Sequence, residues 1–257
     1  MNYFHALILS IIEGVTEFLP VSSTGHLILA GNLMNLPSTE FQKSFEIIIQ
    51  LGAILAVVIL YMKTLMKDVE AWKRVLIAFI PTGVLGLVLY KAIKHYLLGN
   101  SYITVFSLFL GGIILIVFEL LHKEKEFHTS SIGKIPFKSA FLIGLFQSVS
   151  MIPGVSRAAA TIFGGMVLGL RRKTAVEFSF LLAVPTMFAA TTLDLVKSNL
   201  LFSRNDIILL LIGFIGSFIT AFFTVKFLLQ FIRNHNFIPF GIYRIIISIV
   251  LWFLVLR

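Results

Sequence analysis

Hydrophobic residues run along this chain in long blocks separated by short polar breaks. A helix that crosses a bilayer needs roughly 20 largely apolar residues. Six blocks qualify, at about 44–62, 75–93, 101–121, 175–195, 206–225 and 238–256. Two more, at about 6–33 and 138–168, are apolar but interrupted, the first at Pro20 and Gly25, the second at Pro153–Gly154. Broken helices are tolerated at membrane depth only where they are buried in protein or line a wet cavity. The pattern therefore predicts an all-α integral membrane protein with about six spanning helices and two re-entrant broken-helix elements.

The two halves resemble each other. Ala6-Leu-Ile-Leu-Ser-Ile-Ile-Glu13 lies against Ala140-Phe-Leu-Ile-Gly-Leu-Phe-Gln147, and one gap later Pro20 falls on Pro153 and Ser23 on Ser156. Each half is one broken element followed by three spans, and an odd number of spans turns the second copy upside down. The expectation is a single membrane domain over 1–257 with inverted repeat halves of about 1–125 and 135–257, and a site near the midplane built from discontinuous helices.

Composition supports this. Hydrophobic residues make up 58% of the chain and charged residues 13%, against about 25% charged in soluble domains; mean hydropathy is +0.98. There is no cysteine, which excludes disulfides, thiolate metal sites and thiol nucleophiles. The net charge of +9 would suggest nucleic acid in a soluble protein. Here the positive-inside rule explains it, and no nucleic-acid partner is expected. Loops at about 63–74, 122–138, 169–174 and 226–236 carry 13 of the lysines and arginines and the opposite loops 6, which makes the first set cytoplasmic. Met1 to Leu9 holds no Lys or Arg and Glu13 breaks the run, so the N-terminal segment reads as retained rather than as a signal peptide.

Chemistry concentrates in two stretches. The first is Glu13-Gly-Val-Thr-Glu17-Phe-Leu-Pro20-Val-Ser22-Ser23-Thr24-Gly25-His26. Glu13 and Glu17, spaced i, i+4, share a helix face. Such a pair suits Mg²⁺, which one or two carboxylates and substrate phosphates commonly hold; the bland alternative is a pair satisfied by Arg157, Arg244 or backbone. The hydroxyls of Ser22, Ser23 and Thr24, with Gly25 loosening the backbone, could converge on an anion. His26, three residues from Ser23, is in reach as its base or as an acid for a leaving group.

The second stretch is Pro153-Gly154-Val-Ser156-Arg157-Ala-Ala-Ala-Thr161. It opens a half-helix whose dipole points positive at the loop, and Arg157 adds a bidentate phosphate donor. Glu13 is matched by Gln147, Glu17 by Met151 and Thr24 by Arg157. The halves thus differ where it matters, and together they read as one composite site for metal plus phosphate. Arg244 could neutralise a carboxylate or touch phosphate, Glu46 and Glu177 could stand behind the site, and Glu119 and Asp194 read as interfacial.

At these residues the chain resembles the undecaprenyl-diphosphatase family, also called bacitracin-resistance proteins. Glu13, Glu17, Phe18, Leu19, Pro20, Ser22, Ser23 and His26 follow the family's first pattern. Pro153, Gly154, Ser156, Arg157 and Thr161 follow its second, with Ala158 where a serine is usual. The resemblance implies a membrane phosphatase that converts undecaprenyl diphosphate to undecaprenyl phosphate for reuse in envelope polymers, with bacitracin resistance when abundant. It further implies a divalent cation, Mg²⁺ or Ca²⁺, and a site facing the periplasm or outer surface of the bacterial cytoplasmic membrane. On this reading Glu13 and Glu17 hold metal, Glu17, Ser23, His26 and Arg157 are catalytic, and Ser22, Thr24, Gly25, Pro153, Gly154, Ser156 and Thr161 bind substrate. Partners are the lipid substrate and membrane lipids, with a homodimer left open. The competing reading is a transporter or flippase of undecaprenyl phosphate, or another ion-coupled carrier, because inverted repeats are transporter architecture.

Overall fold

A computed structural model describes residues 1–37, 39–97, 100–124, 128–197 and 202–256 of the chain. Residues 125–127 of the polar linker, Arg257 and the side chain of Asp194 lie outside this description. Helices account for most of the described residues, and the pairing of Thr129 with Leu170 is an isolated bridge. Six helices are long and apolar enough to cross a membrane: α3 (Glu40–Leu60), α5 (Val69–Ala92), α6 (Ser101–Leu121), α9 (Arg172–Lys197), α10 (Arg204–Phe231) and α11 (Ile238–Leu251). Each matches a block read from the sequence, with edges moved by a few residues; α11 reaches spanning length through a π-helical turn at Trp252–Leu256. The protein is thus an all-α, multi-pass membrane protein.

Between the spans lie the shorter pieces. α1 (Tyr3–Thr16) and α2 (Ser23–Leu33) are separated by the turn that holds Pro20. α7 (Phe137–Ser148) continues through a 3₁₀ turn (Val149–Met151) and then, past Pro153–Gly154, into α8 (Arg157–Val167). α4 (Met62–Lys67) is a short connector. Gly25, expected to loosen the first break, is instead helical within α2. A Cβ there would lie 2.6 Å from a methyl of Leu108 on α6, so its bare backbone serves close approach.

The halves interlock. α1 packs along α10 and α7 along α5, α3 lies on both α9 and α10, and α6 pairs with α11. Both broken elements cross their partners at a glycine. A Cβ on Gly14 would meet the backbone of Ser217 and Ala221, and one on Gly144 the backbone of Ala78, the small-residue contact by which membrane helices approach closely. The main core runs through the middle of the bundle, with Phe18, Phe178 and Phe180 among its fully buried side chains.

Glu119, read as interfacial, is buried. Its carboxylate accepts from Arg172 Nη2 at 2.9 Å and from the Phe237 amide at 3.1 Å. It ties the end of α6 to the starts of α9 and α11, and this tertiary pairing is what a single carboxylate at a span end does not reveal.

Candidate functional site

The two breaks meet. Ser22 immediately precedes α2 with φ 70°, and Ser156 immediately precedes α8 with φ 73°. Non-glycine residues in this region carry roughly 1–3 kcal/mol of strain, which surrounding structure must hold in place. Gly154, at φ 92°, occupies the same half of conformational space without a Cβ to object. The backbone therefore aligns Ser22 with Ser156 and Ser23 with Arg157, one residue away from the sequence pairing. The gap introduced to superpose the prolines is unnecessary, because Glu13 to Gln147 and Ser22 to Ser156 keep one constant spacing.

The first residues of the two half-helices converge on one carboxylate. Ser23 Oγ donates to Glu17 Oε2 at 2.6 Å. Arg157 Nη2 donates to Glu17 Oε1 at 3.1 Å, with both side chains about 90% buried. Arg157 is further fixed by Nη1 on the Ser179 carbonyl at 3.0 Å and lies over the Phe18 ring, 5.5 Å from its centroid. Thr161 Oγ1 is 2.5 Å from Ser179 Oγ, so it braces the wall behind Arg157. The amino ends of α2 and α8 both carry positive dipole potential to this point, an arrangement suited to an anionic group.

Glu13, one turn before Glu17, is fully buried; among the described residues no donor reaches its carboxylate oxygens, and its hydrogen-bonding neighbour is another carboxylate, Glu17. Buried polar groups are almost always paired, so an orphan carboxylate calls for an explanation. Glu17 and Glu46 are the carboxylates that act on it and Arg157 the cation. Arg244 does not supply the missing charge. It is wholly buried, and its guanidinium donates to five backbone carbonyls: Pro20 at 3.2 Å, Val155 at 3.0 Å, Gly154 at 3.0 Å, Ser107 at 3.3 Å and Leu108 at 3.4 Å. Instead of neutralising a carboxylate, Arg244 bolts both breaks to α6. The carbonyls freed where a helix stops are the acceptors that a planar five-donor group can satisfy.

His26 stands apart from Ser23. Its Nδ1 is 2.8 Å from the Ser22 carbonyl and its Nε2 is 2.8 Å from the hydroxyl of Tyr243. The group in hydrogen-bond contact with Ser23 is Glu17. Thr24 is exposed, Pro153 and Gly154 are buried, and Ser156 caps α8 through the Ala159 amide at 3.2 Å. Gln147, the counterpart of Glu13, is also wholly buried, but its amide nitrogen donates to Thr82 at 2.9 Å and Thr186 at 3.0 Å. Glu177 pairs with Lys173 Nζ at 3.9 Å.

Ser179 and Tyr243 were not singled out from the sequence. Ser179 lies in the family-like stretch Glu177–Pro185 and Tyr243 in an apolar helix without a motif, and only the folding of α9 and α11 against the breaks brings them in.

Fold and site together define a multi-pass membrane protein with one composite polar centre, built where two broken helices meet. The family model for bacitracin resistance protein BacA matches residues 6–250, and the chain belongs to this family. Its relatives include an undecaprenyl-diphosphatase of Sulfurihydrogenibium sp. (strain YO3AOP1), 57% identical over 255 residues that cover 98% of this chain and 100% of that one. Another, from Aquifex aeolicus (strain VF5), is 54% identical over 250 residues, 97% of each chain. A third, from Methanococcus aeolicus, is 46% identical over 251 residues, 98% of each.

Proposed function

We propose that this chain hydrolyses undecaprenyl diphosphate to undecaprenyl phosphate and inorganic phosphate. The observation that carries the reading is Ser23 Oγ at 2.6 Å from a Glu17 carboxylate that Arg157 also holds, at the meeting of two helix amino ends. That is a hydroxyl with a base in contact, beside a guanidinium. Relatives named for this activity match it over almost their full length.

Ser23 Oγ attacks the terminal phosphorus while its proton passes to Glu17. The bond from phosphorus to the bridging oxygen breaks, and its electron pair leaves with undecaprenyl phosphate. Glu17 then gives up that proton to solvent. Water attacks the phosphoserine with its proton passing to Glu17, and Glu17 returns this proton to Ser23 Oγ as the phosphorus–oxygen bond breaks, so that phosphate and free Ser23 result. Arg157 and the amides opening α2 and α8 bind the phosphate oxygens and stabilise the charge that builds in the transition state.

Mg²⁺ or Ca²⁺ fits the donors present. The buried oxygens of Glu13 have no hydrogen-bond donor among the described residues, and Glu17 is adjacent on the same face. Among the described residues no three His, Asp or Glu side chains converge as a metal cluster, so Glu13 and Glu17 would hold the ion with its other ligands drawn from hydroxyls, phosphate and water. Such an ion neutralises phosphate charge when bound. The protein's place is the bacterial cytoplasmic membrane with its site open to the outer side, where it returns the lipid carrier to envelope synthesis and lowers the amount of diphosphate available to bacitracin.

Phosphate release from undecaprenyl diphosphate by purified protein in detergent tests this, with Mg²⁺, with EDTA, and with Ser23→Ala. The expected result is cation-dependent release that Ser23→Ala loses by about 10²-fold or more. No release from folded wild type would move the reading to a carrier of the same lipid phosphate. Near-normal turnover by folded Ser23→Ala would replace the serine step with direct attack by water.

A further inference from the structure

His26 belongs to a hydrogen-bonded line separate from the one that joins Ser23, Glu17 and Arg157. A carbonyl oxygen only accepts, so the 2.8 Å contact with Ser22 requires a proton on Nδ1. In the neutral ring Nε2 then bears the lone pair. The group 2.8 Å from Nε2 is the Tyr243 hydroxyl, and a phenol can donate. The line runs from Tyr243 O–H to Nε2, then from Nδ1–H to the Ser22 carbonyl. The two rings also lie nearly parallel, with planes 9° apart and centroids 5.4 Å apart. His26 is buried, whereas Tyr243 is 41% exposed.

Each end of the line is anchored at the site. The Ser22 carbonyl belongs to the residue at φ 70° that aims the first turn of α2. Tyr243 precedes Arg244, whose guanidinium holds Pro20 two residues before Ser22. A shift of α11 would therefore move the imidazole and the break together.

We propose that Tyr243 is a positioning residue for His26. It holds the imidazole in the Nδ1–H form and directs Nε2 toward the half-exposed edge of the site. This inference rests on the phosphatase reading and deepens it, because it removes His26 from the proton chemistry of Ser23. It assigns His26 to the substrate side, where its Nε2 acts on the leaving or entering oxygen through the tyrosine hydroxyl.

The experiment pairs kinetics with a spectroscopic reading that does not depend on turnover. Tyr243→Phe keeps the stacked ring and removes the hydroxyl alone. With undecaprenyl diphosphate, kcat should fall about 10- to 100-fold with KM little changed, part of the ~10²–10⁴ that a positioned acid or base contributes. In ¹⁵N-histidine-labelled protein in detergent, the His26 signal, assigned by its loss in His26→Gln, should show Nδ1 protonated and Nε2 bare in the wild type. The Nε2 resonance should move downfield in Tyr243→Phe. In a His26→Gln background, adding Tyr243→Phe should cost nothing further. An unmoved Nε2 resonance overturns the contact, and an unchanged kcat in folded Tyr243→Phe overturns the positioning role. Absence of turnover in the wild type sinks the phosphatase reading instead, and the nitrogen spectrum still decides the contact.

Discussion

The two broken elements share a backbone and differ in chemistry. Each begins with an apolar helix of 14 or 12 residues, turns through a serine at φ near 70°, and resumes in an 11-residue helix. Each buries a polar side chain completely at the same position, Glu13 in one and Gln147 in the other. Gln147 is neutral; its amide nitrogen donates to two threonines, while its Oε1 has no partner among the described residues. Glu13 is an acid to whose oxygens no donor among the described residues points, its close polar neighbour being the Glu17 carboxylate. The difference separates a scaffold from a site. The second element leaves a neutral amide oxygen unpaired and lends a cation, Arg157, to the first. The first keeps an unmet need, and that is where a ligand adds most.

Removing the loan should have the largest effect. Arg157→Ala is expected to lower phosphate release about 10³-fold or more, as loss of a charge-stabilising arginine does in phosphoryl transfer. Arg157→Lys should recover little, because a point charge cannot serve both Glu17 and the Ser179 carbonyl in one plane. A folded Arg157→Ala with near-wild-type turnover would break the composite site into two unrelated motifs.

Next comes the bolt that keeps the two breaks in register. Arg244→Met strips donors from five carbonyls. Hydrogen bonds from a charged group are worth roughly 1.5–3 kcal/mol each and do not add fully, so a loss of at least about 3 kcal/mol is expected. Thermal unfolding in detergent measures it. A small change in unfolding temperature would mean that the breaks hold themselves.

The smallest effects exchange the two elements' defining residues. Gln147→Glu replaces a donor to Thr82 and Thr186 by an acceptor and should destabilise by about 1–3 kcal/mol while leaving cation dependence where it was. The reciprocal Glu13→Gln should raise the unfolding temperature of the cation-free protein, since it removes a buried acid that lies against another carboxylate, while cation-dependent turnover falls. Equal behaviour of the two substitutions would erase the contrast.

Much of this was legible without coordinates. Six blocks of apolar residues became six spanning helices, because bilayer length and the need to satisfy every backbone group leave few other outcomes. The charged residues that bilayer solvent makes expensive marked the centre. Less legible was the register of the two halves. Matching prolines put Ser23 opposite Ser156, but the backbone turn puts Ser22 there, since φ and not residue type defines the equivalent point. His26, three residues after Ser23 in the chain, suggested a base for it. A helix places residues three apart on one face without saying which way an imidazole turns, and here it turns to Tyr243.

What the sequence determined by itself is the medium and the inventory. The chain must live in a membrane, break twice, and bring two carboxylates, serines, a histidine and an arginine to the breaks. Tertiary structure alone decided how they are wired. Ser23 and Arg157 meet on Glu17, Arg244 serves carbonyls, Glu119 pins three helices, and Tyr243 takes His26. Hydropathy is a sum over neighbours in sequence and survives without a fold. A hydrogen bond joins two atoms within about 3 Å, and residues 140 apart reach that distance only after every helix between them has packed.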